Sequence, residues 1–164
     1  MDKEILKKRA PHIKLVASDI DGVWSDAKMY YTETGDYMKA FSTYDGMAVK
    51  FLHEAGIKVA LLTGESSQIV LRRAEKLNIQ HVYLGEKDKL SRIRYLCKRF
   101  GFDLEHVAFI GDDIIDLDAL KAVGISAMPS NSPILHRFSP NIITNRAGGE
   151  GAFREFVDII LSYR

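Results

Sequence analysis

Cysteine is almost absent from this 164-residue chain: Cys97 is the only one. An intramolecular disulfide is therefore excluded, and a reducing, cytosolic compartment is expected. Net charge is equally scarce. Lysine plus arginine number 23 against 22 acidic residues, a formal balance of +1. No bulk electrostatic attraction to nucleic acid or to an anionic membrane follows from that balance. No run approaches the roughly 18 apolar residues of a membrane span. The segment Met1 to Ala10 is charged and has no apolar signal core. Low-complexity tracts and repeats are missing too. What is present is 46% hydrophobic and 27% charged residues, the composition of one globular domain spanning residues 1–164 with a real core.

The most informative feature is Asp19-Ile20-Asp21-Gly22-Val23, placed directly after the apolar run Ile13-Lys14-Leu15-Val16-Ala17. A short apolar, β-branched run predicts a buried strand over 13–18. Side chains on an extended strand alternate, so Asp19 and Asp21 are expected to point the same way. Crowded carboxylates repel, and a divalent cation is the usual reason to tolerate them. A solvated turn after a strand is the plain alternative.

Strand and helix patterns alternate along the rest of the chain. Strands are expected over 57–62, 81–84, 107–110, 125–128 and 141–144, and helices over 45–55, 66–77, 88–100, 114–123 and 151–163. Residues 23–42 break the alternation. Met29-Tyr30-Tyr31 and Tyr37-Met38-Lys39-Ala40-Phe41 flank Thr34-Gly35-Asp36, which predicts a β-hairpin insertion. The fold class is therefore α/β: a Rossmann-like parallel sheet flanked by helices, with a hairpin after the first strand and no large cap domain. Ligands of such sheets bind outside the carboxyl ends of the strands. Asp19, Asp21, Thr63, Asp112 and Asp113 all fall at those ends.

That constellation suits phosphoryl transfer. Asp19 can act as a nucleophile, splitting hydrolysis into two steps through an acyl phosphate. Asp112 can join Asp19 in an oxygen-rich Mg²⁺ site. Asp21 can protonate the leaving oxygen and later deprotonate the attacking water. Thr63 and the backbone at Gly64 can donate to the phosphate, and Lys89 can offset the crowded negative charge. Taken singly, each has an ordinary reading: Thr63-Gly64 as a strand exit, Lys89 as a solvated lysine in the charged run 86–89, Asp112-Asp113 as a helix cap.

Asp19-Ile20-Asp21-Gly22-Val23, Leu61-Leu62-Thr63-Gly64, Lys89 and the run Gly111 to Asp116 resemble the four motifs of haloacid dehalogenase-type phosphatases. The hairpin and the absence of a large cap resemble the small tetrameric subgroup that dephosphorylates 3-deoxy-2-ulosonate phosphates. The tail Arg146 to Glu155 resembles that subgroup's C-terminal signature. The resemblance implies Mg²⁺ held by the Asp19 side chain, the Asp21 backbone carbonyl and the Asp112 side chain, with Asp113 and Asp116 supporting the loop. It also implies substrate contacts from Ser42, Thr43, Tyr44, Asp45, Gly46, Lys50 and Lys89, and a homotetramer in which each hairpin covers a neighbour's site. Packing of the hairpin on its own domain is the simpler reading of its apolar residues.

Two branches of the subgroup differ in substrate. The octulosonate 8-phosphate phosphatases usually carry Arg after the Thr-Gly of the second motif and Arg-Asp-Gly after the hairpin. This chain has Glu65 and Tyr44-Asp45-Gly46 there. Glu65 with Arg73 and Lys76 resembles the branch acting on 2-keto-3-deoxynononate 9-phosphate, and the nine-carbon substrate is the first expectation, the eight-carbon one the second. Arg73 and Lys76, three apart on one helix face, could meet a sugar carboxylate, or could be an ordinary solvated face. Two readings from other classes stand beside the phosphatase. A receiver-like signalling module also puts Asp, Thr and Lys at strand ends, but has its acidic pair on the first strand, its acceptor on the third, and no hairpin. A catalytically silent assembly subunit would not need both Asp19 and Asp21.

Overall fold

The computed structural model describes residues 1–164. Six parallel strands form one sheet in the order β5-β4-β1-β6-β7-β8, with β1 Leu15–Ser18, β4 Lys58–Leu62, β5 His81–Tyr83, β6 Val107–Ile110, β7 Ile125–Met128 and β8 Ile142–Ile143. β2 Tyr30–Thr32 and β3 Gly35–Met38 pair antiparallel as a separate hairpin. The helices are α1 Lys3–Arg9, α2 Thr43–Glu54, α3 Gln68–Lys76, α4 Lys89–Phe100, α5 Leu117–Ala122 and α6 Ala152–Ser162. None is long and apolar enough to cross a membrane.

The period-2 alternation of the strands sorts the core onto two faces. Val16 packs with α2, α3 and α6 through Val49, Leu52, Val70, Phe153 and Phe156. Leu15 and Ala17 pack with α4 and α5 through Ile93, Leu96, Ala119 and Leu120. Both faces of β1 are therefore covered, and its four residues are all buried. Ser18 pairs in register with Leu61 on one side and Ile110 on the other. Asp19, Thr63 and Asp112 thus leave three adjacent strands at one end of the sheet.

One expectation needs correction, and two features go beyond the sequence pattern. The hairpin is narrower than residues 23–42. Val23 and Trp24 are buried in the domain, because the amides of Val23, Trp24 and Ser25 all donate to the Ile20 carbonyl and curl the chain inward. Trp24 stacks on Phe153 at 4.6 Å, and its indole N–H donates to Ser18 Oγ at 3.0 Å. The charged N-terminus also contains a helix. Asp2 caps α1, Leu6 buries one turn of it, and the Asp2 amide donates to the Asn141 carbonyl; tertiary contact holds a helix too short to stand alone. Finally, the simpler reading of the hairpin holds only at its base: Phe41 packs against the core, while Tyr30, Tyr31, Tyr37 and Met38 are exposed.

Trp24 is the sole tryptophan, fully buried. Trp24→Ala is expected to cost about 3–5 kcal/mol, read as a lowered midpoint in urea by circular dichroism. Trp24→Phe should lose much less.

Candidate active site

Asp19 directly follows β1, with its amide donating to the Ile110 carbonyl of β6. The turn from Ile20 brings Asp21 to the same cavity, so this turn, rather than strand alternation, juxtaposes the two carboxylates. Gly22 lies at φ +90°, and a Cβ there would collide with the Asp112 carboxylate. Only glycine combines that backbone with that proximity.

Lys89 opens α4 and is buried, unlike the solvated lysine its charged neighbourhood suggests. Its Nζ lies 2.8 Å from Asp19 Oδ1 and 2.5 Å from Asp116 Oδ1. Asp116 Oδ2 accepts from the amides of Asp112 at 2.9 Å and Asp113 at 3.2 Å. Burial alone would depress the Lys89 ammonium, but Asp19 and Asp116 outweigh it and raise it. Lys89 is therefore charged.

Thr63, at the end of β4, donates from Oγ1 to Asp21 Oδ2 at 3.3 Å and accepts from the Glu65 amide at 3.1 Å. A cavity of about 220 Å³ is lined by Asp19, Asp21, Thr63, Gly64, Glu65, Asp112 and Asp113 among others.

The acidic residues fit a divalent cation. Oxygens of Asp19, Asp112 and Asp116 lie within 4.8 Å of one another. Those of Asp116 are already engaged by Lys89 and two amides, so Asp19 and Asp112 are the available donors. Asp112 Oδ1 is buried and without a partner. Burial, then Asp116 and Asp113, push the Asp112 carboxyl up to about 7. Burial, then Asp116, push Asp19 well above the carboxylate range, with Lys89 opposing. Two carboxyls held this way keep a proton until a cation replaces it. An oxygen-only donor set is one that suits Mg²⁺.

The remaining predicted contact residues do not converge on this cavity within one chain. Thr43, Gly46, Lys50, Arg73 and Lys76 line a separate groove of about 510 Å³ between α2 and α3. Arg73 donates to the Ser42 carbonyl at 3.1 Å and packs on Gly46, where a Cβ would stand 2.7 Å from its guanidinium. Ser42 caps α2. Tyr44 is exposed beneath the Arg146 guanidinium, 5.5 Å from its ring centre. Asp45 is fully buried in the α2–α6 seam, where Oδ1 accepts from the Arg154 amide at 2.8 Å. Burial pushes its carboxyl up to about 6 against that hydrogen bond and the nearby arginines.

Two partners of the site were not anticipated. Lys39 Nζ lies 2.6 Å from Asp21 Oδ1, its side chain 1% exposed. A single lysine within Tyr37 to Phe41 was the available signal. Ser132 Oγ donates to the Asp112 carbonyl at 2.5 Å; no motif marks it.

Comparison with known proteins accords with the geometry. The haloacid dehalogenase-like hydrolase family matches residues 36–124. The 3-deoxy-D-manno-octulosonate 8-phosphate phosphatase of Haemophilus influenzae is 37% identical over 156 residues, covering 95% of this chain and 87% of the relative. The chain belongs to the haloacid dehalogenase-like hydrolases. The Yersinia pestis phosphatase of the same name is 37% identical over 154 residues, covering 94% of this chain and 82% of the relative. Among solved structures, the Moraxella catarrhalis octulosonate 8-phosphate phosphatase, in complex with magnesium, phosphate and KDO, superposes with a TM-score of 0.92 at 40% identity, covering 97% of this chain and 91% of the other. This haloacid dehalogenase-like hydrolase carries the machinery of a phosphoric monoester hydrolase, with an acidic site that fits Mg²⁺. None of these relatives speaks for a nine-carbon branch, so that part of the first expectation is withdrawn as a family assignment.

The raised Asp112 carboxyl sets a pH dependence. Between about pH 4 and 7 the folded metal-free protein holds a proton that the unfolded chain releases. Metal-free stability should therefore fall as pH rises through that window and stay low above 7, with added Mg²⁺ restoring it. Asp112→Asn should remove the penalty and stabilise the metal-free protein at pH 8 on the order of 2 kcal/mol, read by thermal denaturation in EDTA.

Proposed function

We propose that this protein is a 3-deoxy-D-manno-octulosonate 8-phosphate phosphatase. The observation that carries the reaction class is the buried Asp19–Lys89–Asp116 bridge beside Asp21, Thr63 and Asp112. The eight-carbon substrate rests on relatives of that name matching over nearly the whole chain.

Asp19 attacks phosphorus with one carboxylate oxygen while the ester P–O bond breaks. Asp21 gives its proton to the leaving sugar oxygen. Asp21 then takes a proton from water, whose oxygen attacks phosphorus, and the acyl P–O bond breaks to return Asp19 and release inorganic phosphate. Thr63 Oγ1, turned from Asp21, and the Gly64 backbone would donate to the phosphoryl oxygens; both residues line the cavity. Lys89, 2.8 Å from Asp19 Oδ1, favours the ionised carboxylate against burial and would keep it aimed. Asp19 and Asp112 would hold the Mg²⁺, with the Asp21 carbonyl as the third protein oxygen that the resemblance implies; the ion, when bound, neutralises charge on the transferring phosphoryl group.

A cavity of about 220 Å³ suits a phosphoryl group better than a whole sugar acid. The exposed hairpin, with Tyr30, Tyr31, Tyr37 and Met38, supports assembly into a homotetramer whose neighbouring copies supply the missing walls. In that assembly Ser42, Thr43, Tyr44, Lys50, Arg73 and Lys76 would reach sugar bound at an adjoining subunit. Glu65 is the one residue favouring the nine-carbon alternative that lines the catalytic cavity itself. The substrate class is consistent with a cytosolic enzyme.

Asp19→Asn should abolish turnover with the fold intact, since an amide is a poor nucleophile; appreciable turnover by the purified variant would remove Asp19 from its role. On wild type, kcat/KM for octulosonate 8-phosphate should exceed that for nononate 9-phosphate by about tenfold or more, the size of one lost charge-assisted contact. The reverse order would restore the nine-carbon reading. Glu65→Arg should widen the eight-carbon preference.

Sedimentation should give a tetramer. Removing the hairpin tip, residues 31–36, should give smaller assemblies and lower activity together; a fully active monomer would refute the shared site.

A further inference from the structure

Lys39 follows β3 at the base of the hairpin, and its side chain is 1% exposed. A buried ammonium needs a partner. The only hydrogen-bond partner of its Nζ is Asp21 Oδ1, at 2.6 Å. The other groups on Asp21 are weaker: Ser25 Oγ at 3.4 Å from Oδ1 and Thr63 Oγ1 at 3.3 Å from Oδ2. Lys39 is thus the principal anchor of the Asp21 carboxyl. It comes from the hairpin, not from any strand of the main sheet.

We infer that Lys39 is a positioning residue for the general acid. It holds Oδ1 of Asp21, so that Oδ2 is the oxygen left to carry the proton toward the leaving group. The inference rests on Asp21 acting as the proton donor in the proposed reaction. Lys39 Nζ makes no hydrogen bond or ion pair with Asp19 or Asp112. Its place in the hairpin has a mechanical consequence: the geometry of the proton donor depends on where the hairpin settles.

Leaving-group dependence separates positioning from a merely structural ion pair. The alkoxide leaving from a sugar phosphate requires a proton as the P–O bond breaks. The p-nitrophenolate ion leaves without one. In a reaction through an acyl phosphate, kcat/KM reports the steps up to departure of the leaving group. Lys39→Met keeps the buried stem and removes the ammonium. Its kcat/KM should fall about 10- to 100-fold on octulosonate 8-phosphate, within the range of general acid contributions. On p-nitrophenyl phosphate it should fall less than about threefold. Lys39→Arg should recover most of the loss on the sugar phosphate, because a guanidinium can still hold Oδ1.

Equal losses on the two substrates, or no recovery in Lys39→Arg, would overturn the assignment. So would undiminished sugar-phosphate turnover in Lys39→Met. If Lys39→Met fails to fold, Lys39→Gln takes its place: a fall on the sugar phosphate well beyond that on the aryl phosphate supports positioning, and equal losses, or no loss on the sugar phosphate, refute it. A wild type inactive on both phosphates with Mg²⁺ would instead sink the phosphatase reading, and this inference with it.

Discussion

A lysine without solvent, held between two carboxylates, is the constraint around which this site is built. Lys89 joins α4 to the end of β1 through Asp19 and to the loop after β6 through Asp116. Asp116 passes the constraint on, because its second oxygen holds the amides of Asp112 and Asp113. One ammonium therefore sets the position of Asp19, the proposed nucleophile, and, at one remove, that of Asp112, the other proposed metal donor. Breaking such a pair leaves a buried charge uncompensated, so the bridge binds its members to a single arrangement.

The same end of the sheet is closed from behind by the C-terminal tail. Glu155 accepts from the amides of Asn145 and Arg146 and fixes the tail loop. The Gly149 amide donates to the Val23 carbonyl, and a Cβ on Gly148 would collide with the Gly22 carbonyl. A tail with side chains at these positions could not lie against the acidic turn. That close approach gives a physical reason for the paired glycines of a segment far from the first motif in sequence.

Charge near the cavity is lopsided. Asp19, Asp21, Asp112, Asp113 and Asp116 face two ammoniums, those of Lys39 and Lys89. The two lysines are allotted to different tasks by position. Lys89 holds Asp19 and the Asp116 loop, while Lys39 holds Asp21 alone. Asp112 and Asp113 have no ammonium partner, and the buried free oxygen of Asp112 suits the proposed cation. Residues that would read the rest of a substrate lie outside this cavity in one chain, along α2 and α3. In the proposed reading chemistry and recognition are thus built on separate surfaces, which a homotetramer would combine.

Much of this was legible in the residues. Apolar runs separated by helix-length segments specify a parallel sheet, and polar residues at the ends of those runs locate its working edge. Asp19, Thr63 and Asp112 were found that way, and composition alone excluded a disulfide. The residues could not reveal that Asp21 joins Asp19 through a turn rather than by strand alternation, since only three amides converging on the Ile20 carbonyl decide it. Nor could they show Lys89 buried, Asp45 sealed in a helix seam, or Arg73 held in a separate groove. Sequence patterns record local periodicity and the order of polar groups along the chain. Which of two equally charged lysines meets which carboxylate depends on how elements 18 or more residues apart pack, and that is decided only when the sheet and its helices close on one another.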